Sequence, residues 1–194
     1  MKIIRACLLI AILITSQSCN RQIARINPET ATDLSGAWND TDSKLTSQEI
    51  ATEVLTQPWL SKFKEVSPTK DPVIIVGLIT NQSHEHIDSE TFTKDMEMSF
   101  VNSQKVRLVQ GGKKREELRG ERADQQENAS KSTMKQWGLE VGADYIMQGS
   151  ITSIVDSYKR TKTIYYQVSM ELTSIQTNEV VWIGGKKIKK LVKN

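Results

Sequence analysis

The sequence predicts a single α/β sandwich domain, with helices flanking a mixed sheet that ends in an antiparallel meander. Helical apolar stripes and short β-rich runs alternate along the first part of the chain. Three strand-like segments then follow one another with only short turns between them. The 194 residues are enough for one domain and some excess. An α/β class with an antiparallel end accounts for all three observations.

The first predicted elements are a helix and a strand. Thr46 and Glu49 have the spacing of a capping box, so a helix is predicted from there to about Pro58. In the turn-rich segment before it, Trp38 is interpreted as a packing residue rather than a ligand platform. The apolar run 73–79 predicts a strand that is buried on both faces.

The middle of the chain predicts two further helices around a short strand. Asp88 or Ser89 caps the first of them, and an apolar stripe follows, formed by Phe92, Met96 and Phe100. Residues 105–110 alternate in polarity and predict a strand. Residues 113–128 are almost wholly polar, which indicates a partly helical, solvated segment.

One more helix and the meander complete the domain. The helix begins after Ser130, and its apolar residues are Met134, Trp137 and Val141. Strands are then predicted at 145–156, 163–174 and 180–183. Gly184 and Gly185 are expected to end the last strand, so residues 186–193 are interpreted as a basic amphipathic tail.

The N-terminus predicts export and a lipid anchor. Residues 1–18 combine a basic start with an apolar run that is too short to span a bilayer, which is typical of a signal peptide. Cys19 follows small residues, and this arrangement resembles the lipobox of bacterial lipoproteins, in which the cysteine is acylated. The alternative is an ordinary secreted protein in which Cys19 is a free thiol. Residues 19–32 are then a lipidated tether and 33–194 the domain; thirteen extended residues reach at most about 45 Å.

Charge argues against a nucleic-acid partner. The chain has 26 basic and 23 acidic residues, a formal net charge of +3. Removal of the signal takes away Lys2 and Arg5, leaving 24 against 23, or +1. A dedicated nucleic-acid binder carries a larger basic surplus on one face.

The sequence offers no recognisable catalytic or cofactor motif. No phosphate-binding glycine loop, dinucleotide fingerprint or nucleophile elbow is present. His84 and His86 lie in a polar loop without a third metal ligand at a typical spacing. We therefore expect no enzyme activity, no metal and no cofactor, although spacing alone does not exclude a Ser-His-Asp triad.

Several collinear segments resemble the LpoB family of penicillin-binding protein activators. They include DLSGAWNDTDSKL (33–45), GADYIMQGSITSIVD (142–156) and YQVSMELTSIQTNEVVWIGGKKIKK (166–190), and segments at 57–60, 83–109 and 121–130 extend the similarity. The resemblance implies a fold like the N-terminal domain of TolB, a lipid on Cys19 and an outer-membrane location facing the periplasm. It also implies binding to a bifunctional penicillin-binding protein and stimulation of peptidoglycan synthesis. The tether here is shorter than the long stretch in some relatives.

The partner-binding surface is predicted from residue type alone. Exposed aromatic and Arg side chains dominate protein interfaces, so the candidates are Tyr158, Arg160, Tyr165 and Trp182, each with packing as the alternative. A second hypothesis for the function is a lipoprotein subunit of an outer-membrane secretion or envelope complex. Its only candidate for a membrane hairpin lies around residues 159–162, where polar faces suit water better than lipid.

Overall fold

The structure is a computed structural model that describes residues 23–130, 132–133 and 140–193. The chain divides into two units, Met1–Ala31 and Thr32–Asn194. In the described part of the first unit, the Thr30 N–H closes a turn by donating to the Asn27 carbonyl at 3.0 Å. The predicted signal peptide 1–18 and Cys19 lie outside the described residues. No described helix is both long and apolar enough to cross a membrane.

The second unit is a mixed α/β domain, as the sequence predicts. Its sheet has the strand order β2-β1-β3-β4-β5. Strand β1 pairs in parallel with β2 and β3, whereas β3, β4 and β5 form the predicted antiparallel meander. The elements in chain order are α1 (Asp40–Val54), α2 (Pro58–Val66), β1 (Val73–Gln82), α3 (Ser89–Ser103), β2 (Arg107–Leu108), α4 (Gly112–Asn128), β3 (Tyr145–Tyr158), β4 (Thr161–Ser174) and β5 (Val180–Lys193).

Helices α1 and α3 pack on each other and on one side of the sheet, which we call the core face. The predicted stripe on α3 is confirmed, and Asp88 caps that helix by accepting from the Glu90 N–H. Strand alternation sends every second side chain of β4 into the same core. The innermost residues of this core are Ile50, Val54, Ile74, Phe92, Met96, Phe100, Met147, Ile151, Tyr166 and Leu172.

The boundaries of the first helix differ from the prediction. Helix α1 begins at Asp40, and its capping box joins Asn39 to Asp42, not Thr46 to Glu49. Thr46 lies inside the helix and is buried. It is not needed as a cap, because the Asn39 and Asp42 side chains satisfy free N–H groups at the earlier helix start. Pro58 does not simply end this helix: it occupies the first turn of α2, where its missing N–H costs nothing.

The last strand is much longer than predicted, and the predicted end at residue 183 and the basic tail 186–193 are wrong. Gly184 and Gly185 lie inside β5, where the sheet comes too close for a side chain. A Cβ on Gly185 would lie 1.9 Å from the Val168 carbonyl oxygen, and one on Gly184 would lie 2.4 Å from the Trp182 ring. Gly185 therefore permits pairing with β4, Gly184 leaves room for the Trp182 ring, and neither ends the strand.

The structure also differs from the predictions for the burial of β1 and for the helix after Ser130. Strand β1 is not buried on both faces throughout, because Leu78 is exposed next to a bulge between Val76 and Ile79. Of the helix expected after Ser130, the residues Met134 and Trp137 lie outside the described residues. Val141 is described, and it belongs to a non-helical segment.

Candidate partner-binding site

Strands β3 and β4 form a hairpin whose tip turns at Lys159 and Arg160. The two strands stay in register to the end, where Tyr158 pairs with Thr161. Lys159 adopts a positive φ of 54°, which lets the tight turn close. Its ammonium lies 5.2 Å from the centre of the Tyr158 ring, within the range of a cation–π contact. The tip therefore presents a positive charge and an aromatic ring together.

The side of the sheet opposite the core face, which we call the outer face, carries two of the four predicted binding residues, Tyr158 and Tyr165. Cross-strand neighbours share a face, so register assigns the side chains. Tyr165 pairs with Ile154 on one side and with Lys189 on the other, and this row alternates with the buried row that contains Tyr166. Because side chains alternate along β3, Tyr158 points to the same outer face as Ile154.

These side chains form one continuous patch, which we call the hairpin patch. It consists of Ile154, Tyr158, Tyr165, Lys189 and Leu191 on the outer face, together with Arg160 in the adjoining turn. Ile154 is 66% exposed and Tyr158 is 74% exposed, so large apolar groups stand in solvent beside cations. The Tyr165 hydroxyl donates to Gln167 at 3.2 Å, which fixes the ring at the centre of the patch.

The patch has a positive electrostatic balance. Lys159, Arg160, Lys189 and Lys193 lie at this end of the outer face, whereas Asp156 is the acidic side chain there. None of the four cations forms an ion pair within the described part of the chain. Aromatic and Arg anchors ringed by unpaired charge are the features of a protein-binding surface that selects an acidic partner.

Trp182 does not belong to this patch. It lies on the core face of β5 opposite Leu172 and is only 6% exposed. Trp182 is therefore a packing residue. Residue type did not single out Ile154, Lys189 or Leu191, which lie in the hairpin patch. The alternation of 145–156 could have placed Ile154 opposite the buried residues, but Lys189 and Leu191 become visible only once β5 is known to continue.

A short segment before α1, residues 32–39, secures the core side of the same end of the sheet; we call it the strap. Lys190 holds it by donating to Asp33 Oδ1 at 2.7 Å, to the Ala37 carbonyl at 3.0 Å and to Asp42 Oδ2 at 2.6 Å. Gly36 has a φ of +73°, and a Cβ there would lie 2.3 Å from Val192. The strap thus lies directly on β5.

Hydrogen bonds also join the strap to the loop after β1. Glu85 accepts from the Trp38 N–H at 2.9 Å and from the Tyr166 hydroxyl at 2.7 Å. The Trp38 ring packs edge-on against Tyr166 with centroids 5.4 Å apart, which confirms its packing role. Burial, and then the hydrogen bond to Glu85, raise the pKa of the Tyr166 phenol far above its usual value.

Lys190 stays charged despite its partial burial. Burial lowers the pKa of Lys190, but hydrogen bonds to Asp33 and Asp42 outweigh this effect and leave the pKa above its usual value. The same contact with Lys190 lowers the pKa of Asp33. The three contacts of Lys190 hold the strap and the first turn of α1 against β5, on the core side of the hairpin end of the sheet.

His84 joins the loop after β1 to strand β3. The His84 N–H donates to Ser153 Oγ at 3.0 Å, and His84 Nδ1 lies 3.1 Å from the same oxygen. Among the described residues, no group of three or more His, Cys, Asp or Glu side chains could hold a metal ion. The second unit is thus an α/β domain that carries a basic and aromatic patch at one end of the outer face of its sheet.

Comparison with models of protein families identifies the kind of module. Residues 42–188 match the family described as peptidoglycan-synthase activator LpoB. The match covers most of the chain, and the chain therefore belongs to the LpoB family of peptidoglycan-synthase activators, as the resemblance predicts. No curated protein matches the chain in sequence.

Solved structures of LpoB proteins resemble the domain at low identity. The LpoB C-terminal domain from Escherichia coli is 19% identical, covering 77% of this chain and 99% of that one, with a TM-score of 0.46. The corresponding domain from Salmonella enterica is 20% identical, with coverages of 79% and 99% and a TM-score of 0.39. The NMR structure of E. coli LpoB is 16% identical, with coverages of 91% and 84% and a TM-score of 0.42.

Proposed function

We propose that the protein is a lipid-anchored regulator at the outer membrane that binds a bifunctional penicillin-binding protein in the periplasm and stimulates its peptidoglycan synthesis. The family match over residues 42–188 carries this proposal, since a peptidoglycan-synthase activator needs a synthase as its partner. Cys19 is the proposed lipid attachment site. The partner contributes the catalysis, and this chain contributes a binding surface.

The hairpin patch is the surface that we propose for the synthase. Tyr158 and Tyr165 supply aromatic anchors, and Arg160 and Lys189 supply charge around them. Buried aromatic and Arg groups carry most of the binding energy in protein complexes. The unpaired cations favour an acidic region on the synthase and speed the encounter with it.

Stimulation requires a preference for one state of the synthase. A regulator shifts an equilibrium only by the difference between its affinities for the two states. The attachment of the strap to β5 suits this role, because a preformed surface loses little conformational entropy when it binds. The chain thus binds the active conformation of the synthase more tightly than the inactive one.

The test is a glycan polymerisation assay with the synthase of the same organism, using the lipidated full-length chain in detergent. The expected result is a saturable increase in polymerisation rate together with direct binding. No rate change and no binding at micromolar protein would contradict the proposal. Sizing the same sample in detergent tests the alternative, because a subunit of a membrane complex would assemble into a ring.

The anchor needs a separate test. Metabolic labelling with a radioactive fatty acid is expected to label the wild-type chain and not Cys19→Ser, which removes the acylated thiol. The wild-type chain is expected in the outer-membrane fraction and the variant in the soluble periplasm. Equal labelling of both chains would place the lipid elsewhere.

A further inference from the structure

The open edge of the sheet lies on β5. The strand pairs with β4 from Val180 to Lys193, and no described strand pairs with its other side. In an antiparallel pair, neighbouring residues turn their N–H and C=O groups alternately towards and away from the partner strand. Half of the residues in this 14-residue strand therefore direct their backbone groups to the open side. Such an edge is a template for one more strand.

A groove runs between this edge and helix α1. It has a volume of about 720 Å³, and its lining includes Leu45 and Thr52 and the acidic Asp42, Glu49 and Glu53 of α1, with Lys186 and Ile188 of β5. Leu45 is 57% exposed although it faces the groove, so an apolar wall is open to solvent. A groove between a helix and an edge strand is the geometry in which an extended peptide adds to a sheet and places alternate side chains in the groove.

The positive charges of the β5 lysines favour an acidic strand at the open edge. Lys186 pairs with Glu49, and Lys190 is held by the strap. Lys187, Lys189 and Lys193 point to the outer face and form no ion pair within the described residues. Lysines along an edge oppose pairing with a second copy of the same strand, because like charges would meet. The same three charges attract an acidic strand.

We propose that an extended segment of the synthase adds to the β5 edge as a sixth strand, with apolar side chains in the groove beside α1 and acidic side chains, alternating with them, beside the outer-face lysines of β5. This inference rests on the proposed function and specifies how the partner is held. Main-chain hydrogen bonds supply the affinity, and the lysines and the Leu45 wall supply the selection. Lys189 belongs to both the edge and the hairpin patch, so the added strand lies next to that patch.

Hydrogen exchange of the full-length chain in detergent, with and without the periplasmic part of the synthase, tests the proposal. In the free chain, alternate amides of β5 are expected to exchange fast because they face solvent. On binding, those same amides are expected to slow by about tenfold or more. A partner that contacts only side chains on the outer face leaves them fast, so the pattern of protection distinguishes main-chain pairing from ordinary docking.

A matched pair of variants tests the groove. Leu45→Glu removes the apolar wall and adds a charge that repels an acidic strand, so we expect synthase affinity to fall about tenfold. Leu118→Glu is the control, because Leu118 is a similarly exposed leucine, 46% exposed, on the distant helix α4. Equal affinity of both variants and the wild type would overturn the groove as the site.

The remaining outcomes separate this inference from the proposed function. If the synthase binds and is stimulated while the β5 amides still exchange fast, strand addition is wrong and the proposed function stands. If the synthase does not bind, the free chain is titrated with seven-residue peptides that alternate Glu with Val or Ile. Protection of alternate β5 amides by these peptides supports an acidic-strand site, and its absence overturns it. Protection that depends on the concentration of the chain alone shows self-pairing and also overturns it.

Discussion

The two faces of strand β4 differ in what they do for the protein. Ile164, Tyr166 and Val168 are buried under the helices, whereas Tyr165 and Gln167 between them stay half-exposed on the outer face. Neighbouring residues along one strand therefore contribute very differently to the free energy of folding. Burial of the first set supplies most of the driving force for folding. The second set contributes little to stability, and its side chains remain partly accessible to solvent.

The largest effect should come from emptying the core. Phe100→Ala removes a ring that is 0% exposed and should lower the free energy of unfolding by about 3–5 kcal/mol. Ile154→Ala on the outer face should change it by less than about 0.5 kcal/mol. Urea unfolding measures both. Comparable losses for the two variants would contradict the division between the faces.

The next effect concerns the strap, which stabilises the core side of the hairpin end. Lys190→Ala leaves the nearly buried Asp42 carboxylate without its cation and should cost about 2–3 kcal/mol in unfolding free energy. Lys186→Ala is the control on the same strand, since its pair with Glu49 is solvent-exposed and contributes at most about 1 kcal/mol. If both variants lost the same amount, the strap would not be a stabilising element.

The strap also predicts loss of stability at alkaline pH. The pKa values of Tyr166 and Lys190 are raised in the folded state, so the folded chain holds both protons more tightly than the unfolded chain. Their contribution is complete below the ordinary values of 10.0 and 10.5 and is lost as pH rises through the folded pKa values. Urea midpoints measured from pH 8 to pH 12 should therefore fall above about pH 10.

The variant Tyr166→Phe isolates one part of this alkaline loss. It removes the hydroxyl that donates to Glu85, so stability near neutral pH should fall by about 1–2 kcal/mol. The decline above pH 10 should become shallower, because one of the two groups no longer titrates. An unchanged slope would assign the alkaline loss to other groups.

The outer face should respond in binding rather than in folding. Arg160→Glu reverses a charge at the hairpin tip and should weaken synthase binding by about tenfold, with the unfolding midpoint unchanged. Lys113→Glu is the control, because it makes the same charge change on the exposed helix α4. Surface plasmon resonance at two salt concentrations measures the loss. Unchanged affinity would remove Arg160 from the patch.

Much of the fold was predictable because local patterns and tertiary packing agree there. The Phe92, Met96 and Phe100 stripe and the alternation of β4 each match a buried face. The errors arise where local signals conflict with packing. Gly184 and Gly185 are typical of a strand end, but here Gly185 permits close approach of β4 and Gly184 leaves room for the Trp182 ring. Nothing local to the glycines reports the position of the neighbouring strand.

The site was predictable only in part, for the same reason. Residue type singled out Tyr158, Arg160 and Tyr165; the sheet places the two tyrosines on one face, and Arg160 lies in the adjoining turn. Residue type also singled out Trp182, whose side is set by the register of β5. A pattern of four residues cannot fix that register once the strand is taken to end at residue 183. Long-range contacts such as those of Lys190 to Asp33 leave no sequence signal at all.

The smallest predicted effect concerns a polar side chain inside the core. Thr46 is fully buried in α1, yet its hydroxyl has no hydrogen-bond partner among the described residues. A buried hydroxyl without a partner costs free energy, whereas a methyl group of the same shape does not. Thr46→Val should therefore leave the unfolding free energy unchanged or raise it by up to about 1 kcal/mol. Thr46→Ser keeps the hydroxyl, loses a buried methyl group and should destabilise the domain by about 1 kcal/mol. Urea unfolding of both variants separates the two contributions, and a clear loss of stability in Thr46→Val would show that the hydroxyl has a partner after all.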